Sequence, residues 1–550
     1  MPPLISLRVC LALAFALMCC GATVAHAQGT ALVPPSDLAY ADIDRLNELG
    51  LLDSLIVGQR PYSRREIARI ARAADARLSV DSAAGDEPLR RARDIVSRLV
   101  ARFAPAGADF PARDFTDGLA DAGSLSINAT SAERRALVGE GRATEATIDP
   151  LAERRLGRPA LRGQSGDLEI AQRFEPTSWL AFAARERVEL RHPSDASVSA
   201  TDGEVLRGSM RARYANLAFM VGREQLAWAQ HVGDGLFIAS DAPALDQVSL
   251  ASDAPFSLPG LLRALGPTSA TLVVANLGRS NARAYSTLLA YKVSMRPTST
   301  VEIGGTFMNH FGGVGSRGAS KLDRLVDFLP FIDVFRKHNY TDTTRTLDVE
   351  SDKLLGVDGR VRIAALGGVI VAGELLADDI DAHRLRTMLT WDGSQTVRLV
   401  FPDLVTSALS LELNAKHTGI RTYTHNGQMA NGITTRGRLI GDELGPDAKQ
   451  FGATLSWMPD ASRTFALTGY SAIYSKVDYA PTDVSGVLKM PKARVYPNEL
   501  RDAIVASVVV RRGELLSLRA RAGAERTRNY AFDGGRREDY VASLALQFAR

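Results

Sequence analysis

The feature that most constrains this chain is an alternation of apolar and polar residues that runs from about Gly118 to the C-terminus. It is clearest over residues 206–214 and recurs over residues 540–548, YVASLALQF, where Tyr540, Ala542, Leu544, Leu546 and Phe548 stand at every second position. Successive side chains of a strand point to opposite faces, so a period of two predicts strands with unlike faces. The pattern predicts about sixteen to twenty strands, each near the ~9–11 residues that a tilted membrane strand needs.

A soluble β-sandwich is the alternative for these strands. A sandwich of this length would divide into repeated domains of ~100 residues, and the sequence has no such internal repeat. A single sheet closed into a barrel leaves no edge of unpaired backbone groups, which a lipid environment does not tolerate. The sequence therefore predicts an all-β membrane barrel of antiparallel strands over residues 111–550.

Arginine alternates with apolar residues on two of the predicted strands, over residues 206–214 and 516–523. An arginine that faces lipid at the bilayer midplane costs ~2–4 kcal/mol, so we expect these side chains to point into the lumen. The lumen-facing basic residues are Arg207, Arg211, Arg213, Arg519 and Arg521.

Two interpretations of an arginine-rich lumen remain open. The guanidinium fork matches carboxylate and phosphate geometry, so the lumen could attract acidic sugars or phosphates. Alternatively, the arginines pair with inward acids such as Glu189 and Glu525 and only line the wall.

Three segments between the predicted strands are too long for tight turns. They cover about residues 226–266, 314–352 and 427–448. The middle segment has apolar residues at helical spacing, which predicts a short amphipathic helix. Insertions of this kind lie at the rim of a barrel or fold into its lumen, where a ligand can be contacted.

Residues 1–27 are typical of a cleaved secretory signal peptide, which predicts export to the outer membrane. Arg8 precedes an apolar run over residues 9–20, and Ala25-His26-Ala27 is a small-x-small site. Cleavage is therefore expected between Ala27 and Gln28.

The three cysteines, Cys10, Cys19 and Cys20, all lie in this segment. A lipoprotein is an alternative, but the residue before an acylated cysteine is normally small, and here it is Met18 or Cys19. The mature chain is expected to lack disulfides, cysteine-ligated metals and thiol nucleophiles.

Residues 28–110 have helical rather than strand periodicity and are predicted to form a small α-helical bundle. Ser36 can cap a first helix that ends near Gly50. Ser63-x-x-Glu66 is a capping box, in which each side chain satisfies a free backbone donor, and it predicts the start of a second helix. A third helix is predicted over about residues 88–103.

No pattern in the sequence indicates an enzyme, a metal site or a cofactor. The zinc-binding His-Glu-x-x-His, the Gly-x-Ser-x-Gly elbow and the phosphate-loop lysine do not occur. Gly278-Arg279-Ser280 weakly matches the serine segment of outer-membrane phospholipases, but no histidine accompanies it convincingly. Asp378 and Asp379 are better explained as turn acids than as a glycosidase pair. A net charge of +4 gives no case for nucleic-acid binding.

Three stretches of the sequence, taken in order, resemble the Wzi family of capsule-assembly outer-membrane proteins. The first is Val33-Pro34-Pro35 followed by DIDRLNELGLLD and RPYSRREIARI. The second is Gly222-Arg223 with Trp228, Gly233, Gly235 and the run from Ser240 to Pro243. The third is NGITTRGR over residues 431–438, with Gly441, Gly445 and Asp447.

This resemblance implies a barrel of about eighteen strands whose helical bundle closes the periplasmic end. It also implies a non-enzymatic lectin that holds capsular or related extracellular polysaccharide at the cell surface, as a monomer among outer-membrane lipid and lipopolysaccharide. Sugar recognition would use Arg donors and aromatic stacking. The candidate ligand-binding residues are Trp228, His231, Tyr423, His425, Arg436 and Arg438.

The alternative function is that of a porin or channel for small anionic solutes. A porin needs an open lumen, whereas a lectin of the implied kind has its lumen plugged by the bundle and the long loops.

Overall fold

In a computed structural model, the described residues of the protein form a closed β-barrel preceded by three helices. The helices are α1 (Ala39–Glu48), α2 (Arg64–Val80) and α3 (Glu87–Phe103). The structure describes residues 30–80, 87–104, 121–132, 135–136, 147–148, 151, 162–194, 200–231, 235–279, 283–316, 351–378, 393–420, 422–423, 433–476, 496–513 and 515–549.

Within these ranges eighteen long strands form one antiparallel sheet, joined at one point by the two-residue strand Phe256–Ser257. The strands are Ala122–Thr130 (β1), Gly163–Thr177 (β2), Leu180–Pro193 (β3), Ala200–Tyr214 (β4), Leu217–Glu224 (β5), Leu245–Ser252 (β6), Pro267–Asn276 (β7), Thr287–Thr298 (β8), Val301–Phe311 (β9), Ser351–Ile363 (β10), Val369–Asp378 (β11), Gly393–Phe401 (β12), Leu409–Thr418 (β13), Ala448–Asp460 (β14), Arg463–Tyr474 (β15), Glu499–Arg512 (β16), Leu516–Tyr530 (β17) and Gly535–Ala549 (β18).

The first strand closes the sheet into a ring. β1 pairs with β18 along one side, from Ala122 opposite Ala549 to Thr130 opposite Val541. Along its other side it pairs with β2, from Ala122 opposite Ala171 to Thr130 opposite Gly163. The predicted all-β barrel with a small helical bundle is therefore confirmed.

The two faces of each strand meet different environments, as the alternation predicts. On β1, the side chains of Leu125 and Ile127 are 56% and 64% exposed on the outer surface. Ser126 and Asn128 point inward instead, where both donate hydrogen bonds to the Asp167 carboxylate. An apolar outer face and a polar inner face are the pattern of a barrel that crosses a membrane.

Two details of the strand prediction are wrong. The segment over 226–266 is not one long loop, because β6 lies inside it; Asp246 stands on the exposed outer face of this strand and interrupts the apolar alternation. Leu206 does not face outward, because a register shift between β3 and β4 turns it into the buried interior. The helix predicted within 314–352 and the strand predicted at 383–392 lie outside the described residues.

The connections between strands differ in length at the two ends of the barrel. At one end, the short-turn end, neighbouring strands are joined by turns such as Ala215–Asn216 and Ala461–Ser462. At the other, the long-loop end, they are joined by segments such as 225–244 and 419–447.

The helical bundle packs against the short-turn end. Arg45 of α1 donates hydrogen bonds to the carbonyls of Pro402 and Ser407, in the turn between β12 and β13. Arg362, beside another of these turns, donates to the Glu48 carbonyl at the end of α1. None of the described helices is both long and apolar enough to cross a membrane.

Local sequence explains where α2 begins and which faces the helices bury. The predicted Ser36 cap of α1 is wrong, because the N-cap residue is Leu38, whose side chain makes no capping hydrogen bond. The Ser63 hydroxyl accepts a hydrogen bond from the Glu66 amide at 3.1 Å, which caps α2 as predicted. The Glu66 carboxylate bonds Arg69. The buried faces of the three helices pack together in one apolar core, which includes Ile43, Leu46, Ile67, Ile70, Ala71, Ile95, Val96 and Leu99.

We predict that Leu46→Ala lowers the stability of the bundle by about 2–5 kcal/mol, because it leaves a cavity in this core. The Leu46 side chain is 0% exposed. Leu261→Ala is the matched control, since Leu261 is 97% exposed, and a change within about 0.5 kcal/mol is expected there. The measurement is thermal unfolding of the detergent-solubilised protein, followed by the helical circular dichroism signal. Equal unfolding temperatures for the two variants would contradict the assignment of Leu46 to the core of the bundle.

Candidate functional site

One half of the lumen is filled by residues 225–231 and 235–244, the described part of the connection between β5 and β6, called the lumen insert below. Its apolar side chains pack against inward residues of β7 to β11, where the wall is apolar. The cluster contains Leu226, Trp228, Leu236, Phe237, Ile238 and Ala242 of the insert with Val273, Ala275, Leu288, Ala290, Met308, Leu354 and Leu376 of the wall. Burial of each large side chain contributes ~1.5–3 kcal/mol, so the insert is held firmly.

Carboxylates on neighbouring strands fix the backbone of the lumen insert. Glu374 accepts hydrogen bonds from the amides of Leu236 at 2.8 Å and Gln230 at 3.3 Å. The Gln230 side chain donates to Asp358 at 2.6 Å and to Glu302 at 3.2 Å. These pairings satisfy polar groups that would otherwise be buried without a partner.

The segment between α1 and α2 also enters the lumen and meets the insert. Glu302 accepts hydrogen bonds from the amides of Val57 and Gly58 at 2.9 and 2.8 Å. A Cβ at position 58 would lie 2.8 Å from the Gln230 side-chain nitrogen, so a larger residue there would displace the Gln230 amide. Arg60 and Ala227 exchange both backbone hydrogen bonds. The helical bundle, the lumen insert and the wall of β7 to β11 therefore pack together as one unit.

The other half of the lumen holds a cavity of ≈ 880 Å³. Helix α1 borders it toward the short-turn end, and residues 239–241 and 442–444 border it toward the long-loop end. Its walls come from β1 to β3 and β12 to β18. Ligand pockets commonly occupy ~300–1,000 Å³, so the space suits a ligand larger than a single small ion.

Charged side chains that line this lumenal cavity are paired with one another. Arg185 donates to Glu169 at 3.0 Å, and Lys416 donates to Asp442 at 2.8 Å. Glu412 pairs with Arg398 and lies 3.2 Å from His231 Nε2. These cations are thus compensated by neighbouring carboxylates, whereas Arg519 and Arg521, which also line the cavity, donate to backbone carbonyls.

Between these pairs, β13 to β15 carry small uncharged polar side chains on the wall of the cavity, interrupted on β13 by Glu412, and these side chains are called the hydroxyl–amide patch. The patch consists of Ser410, Asn414, Thr454, Ser456, Thr464 and Thr468. Sequence reasoning missed this site. The signal that could have found it is the recurrence of Ser, Thr and Asn on the inward face of three consecutive strands.

The predicted ligand-binding residues fall into different environments. Trp228 and Tyr423 are each 1% exposed within the apolar cluster. The Tyr423 hydroxyl donates to the Leu236 carbonyl at 2.6 Å and accepts from the Asp442 amide at 3.1 Å. Neither ring offers a face to a sugar in this conformation. His231 lines the lumenal cavity, and His425 lies outside the described residues.

Arg436 and Arg438 belong to a small hairpin that packs on the lumen insert. Residues Arg436 and Gly437 form its turn, both with positive φ (53° and 74°), as a tight two-residue hairpin turn requires. Arg436 pairs with Glu204 of β4, and its side chain is 28% exposed. Arg438 pairs with Glu443 and is 3% exposed, so it acts within the protein. Of the five candidates that the structure describes, His231 and Arg436 have partly exposed side chains.

The five arginines expected in the lumen all bond to groups inside the barrel. Arg207 donates to Glu224 at 2.7 Å, Arg211 lies 2.8 Å from Asp253, and Arg213 lies 3.8 Å from the same carboxylate. Arg519 and Arg521 donate to the carbonyls of Ser36 and Leu151.

The acids named as possible partners for those arginines bind different ones. Glu189 binds Arg191, and Glu525 binds Arg135 at 2.7 Å. Together with the pairs of the cavity wall, these contacts favour the interpretation that lumenal arginines line and brace the wall.

The structure describes one of the three residues that were weighed as catalytic in the sequence, Asp378. Asp378 is buried and accepts a hydrogen bond from the Tyr423 amide at 2.7 Å, so it is a structural group and not a turn acid in solvent. Ser280 and Asp379 lie outside the described residues. Among the residues that are described, no group of three or more His, Cys, Asp and Glu side chains could hold a metal ion.

The closed antiparallel ring, the apolar outer face and the charged interior define an outer-membrane β-barrel protein. Residues 137–540 match the sequence profile of the family "Capsule assembly protein Wzi". This chain belongs to the Wzi capsule assembly family, as the sequence resemblance implied.

Among solved structures, the barrel is similar to Wzi of Escherichia coli, described as an outer membrane protein involved in group 1 capsule assembly and as a carbohydrate-binding β-barrel. The two chains share 14% identity and a TM-score of 0.65, over 94% of this chain and 99% of the other. OprD of Pseudomonas aeruginosa aligns at 10% identity and a TM-score of 0.41, over 78% and 94%. No curated protein sequence matches this chain significantly.

The pairing of Asp37 with Arg102 joins the start of α1, at the border of the lumenal cavity, to the end of α3. Both guanidinium Nη atoms donate to the carboxylate, at 2.8 and 2.7 Å. Burial raises the pKa of Asp37, but the charge and hydrogen bonds of Arg102 outweigh burial and lower the pKa from 3.8 to about 2. A lowered carboxyl pKa stabilises the folded state above the unfolded pKa, and this stabilisation is lost as pH falls toward 2.

We predict that Asp37→Asn destabilises the bundle at neutral pH by about 2 kcal/mol, the free energy equivalent of this pKa shift. The variant should also lose less stability than the wild type between about pH 4 and pH 2. Thermal unfolding measured across this pH range checks both. Asp53→Asn is the control, because the Asp53–Arg77 pair is exposed and is expected to contribute at most ~1 kcal/mol. Parallel pH profiles for wild type and Asp37→Asn would contradict the assignment.

Proposed function

We propose that this protein binds capsular or related extracellular polysaccharide at the outer membrane and takes part in capsule assembly or surface attachment without catalysing a reaction. The observation that carries the proposal is the family match over residues 137–540. The carbohydrate-binding description of the similar Escherichia coli barrel supports it.

The obstructed lumen favours this function over that of a porin. The lumen insert fills the side of β7 to β11, and residues 57–60 join it from the bundle. Barrels of sixteen to eighteen strands leave an aqueous channel when nothing enters the lumen. Here polar hydrogen bonds and apolar packing both hold the obstruction in place.

The proposal includes the organisation expected from the sequence. Residues 1–27 are the signal peptide, cleaved between Ala27 and Gln28, residues 28–110 form a periplasmic helical bundle, and residues 111–550 form the barrel. Short turns face the periplasm in outer-membrane barrels, which supports a periplasmic position for a bundle packed on the short-turn end. The protein acts as a monomer among outer-membrane lipid and lipopolysaccharide and uses no nucleic acid or cofactor.

Polysaccharide contact is assigned first to His231 and Arg436, and to His425 by its place in the same loop as Arg436. Trp228, Tyr423 and Arg438 are assigned a positioning role, because each is buried and holds the lumen insert or the hairpin beside it.

We predict that the purified protein gives no steady conductance in planar bilayers, because the lumen insert and the bundle obstruct the barrel. The same protein, immobilised, should retain capsular polysaccharide from its host, and deletion of the gene should shift polysaccharide from the cell-bound to the shed fraction. A steady open pore without polysaccharide retention would overturn the proposal in favour of the porin.

We predict that Arg436→Gln lowers retention of the polysaccharide several-fold, because it removes a donor at the long-loop end. Arg463→Gln is the matched control, since Arg463 is exposed and pairs with Asp460 beside a turn at the short-turn end. Retention on immobilised protein is measured for both variants. Equal loss in the two would show that Arg436 has no specific role.

A further inference from the structure

We propose that the lumenal cavity binds a neutral, hydroxyl-rich oligosaccharide segment, and that the hydroxyl–amide patch on β13 to β15 is the surface that recognises it. This inference rests on the proposed function, because it takes carbohydrate as the ligand. It assigns a binding site inside the barrel, apart from the arginine contacts at the long-loop end.

The patch is a continuous surface because its residues are neighbours across strands. Ser410 of β13 lies opposite Ser456 of β14, and Thr454 of β14 lies opposite Thr468 of β15. The two threonine hydroxyl oxygens are 3.0 Å apart. Hydroxyl groups both donate and accept hydrogen bonds, so a row of them matches the hydroxyl groups of a sugar chain.

Asn414 supplies the amide of the patch and has bonding capacity to spare. Its Oδ1 is buried, and no hydrogen-bond donor reaches it within the part of the chain that the structure describes. The residue opposite it is Gly452, where a Cβ would lie 2.6 Å from Asn414 Oδ1. Glycine therefore leaves room for the amide. A buried acceptor without a donor is unfavourable, and rotation of the Asn414 amide toward the cavity would let a ligand hydroxyl donate to it.

An aromatic ring borders the patch. Tyr470 of β15 lies opposite Gly452 and lines the lumenal cavity. Its hydroxyl donates to Glu525 at 2.7 Å, which fixes the ring. A ring held in this way, beside hydrogen-bonding groups, is the combination that sugar sites use for stacking and recognition.

The charges of the lumenal cavity favour a neutral ligand over an acidic one. Carboxylates outnumber Arg and Lys among the lining residues, ten to eight. The cations nearest the patch, Arg398 and Lys416, already pair with Glu412 and Asp442. A uronic acid would have to displace one of these carboxylates and leave it buried without a partner, which costs several kcal/mol.

The test is calorimetric titration of the full-length protein in lauryldimethylamine oxide, a detergent without a sugar headgroup. The probes are neutral hexasaccharides of glucose, mannose and galactose, and hexagalacturonate as the acidic probe. The double variant Asn414→Leu/Thr454→Val removes hydrogen-bonding groups of the patch. Thr396→Val is the matched control, since Thr396 lies on β12 two residues from Arg398 and does not line the lumenal cavity.

We expect at least one neutral hexasaccharide to bind, hexagalacturonate to bind at least about ten-fold more weakly, and the double variant to weaken neutral binding by at least about ten-fold. Thr396→Val should leave affinity unchanged, and all proteins should show the same heat-modified migration of a folded barrel. The inference is overturned if no neutral hexasaccharide binds, if hexagalacturonate binds equally well, or if the double variant binds like the control. Retention of capsular polymer, measured in parallel, separates this outcome from failure of the proposed function.

Discussion

The pairing of β1 with both β18 and β2 is the interaction on which the rest of the structure depends. Residues 122–130 bond along both sides, so the sheet has no free edge. In lipid there is no water to satisfy unpaired backbone groups, and each one left open costs several kcal/mol. Closure therefore allows the apolar side chains of the outer face, such as Leu125 and Ile127, to meet lipid. The polar side chains are confined to the interior.

A ring of eighteen strands is too wide for its own side chains to fill. The protein fills it with chain from two sources, the lumen insert and the segment between α1 and α2. Glu302 bonds both, through Gln230 of the first and Val57 and Gly58 of the second. The apolar wall of β7 to β11 receives the insert, whereas the polar wall of β13 to β15 is left facing the cavity. Because chain fills one side of the lumen, this barrel differs from an open porin, in which a water-filled channel crosses the membrane.

The arginines of the interior have a structural explanation. Arg207 and Arg211 bond the N-terminal segment at Leu32 and Thr30 as well as wall carboxylates. Removing either partner of such a buried pair would leave an uncompensated charge. The proposed recognition of a ligand is therefore assigned to Arg436, whose side chain is partly exposed, and to the uncharged side chains of the patch.

Sequence alone determined the outward face of strands such as β1 and the start of α2, because the first follows from local periodicity and the second from the Ser63 cap. It also placed arginines such as Arg519 inside, because an arginine in lipid is costly. Only the tertiary structure decided that Trp228 is buried, that polar Gln247 and Ser249 belong to a strand, and that Asn414 lies beside Thr454 on one cavity wall. These outcomes depend on contacts between residues distant in the chain, and no local pattern records them.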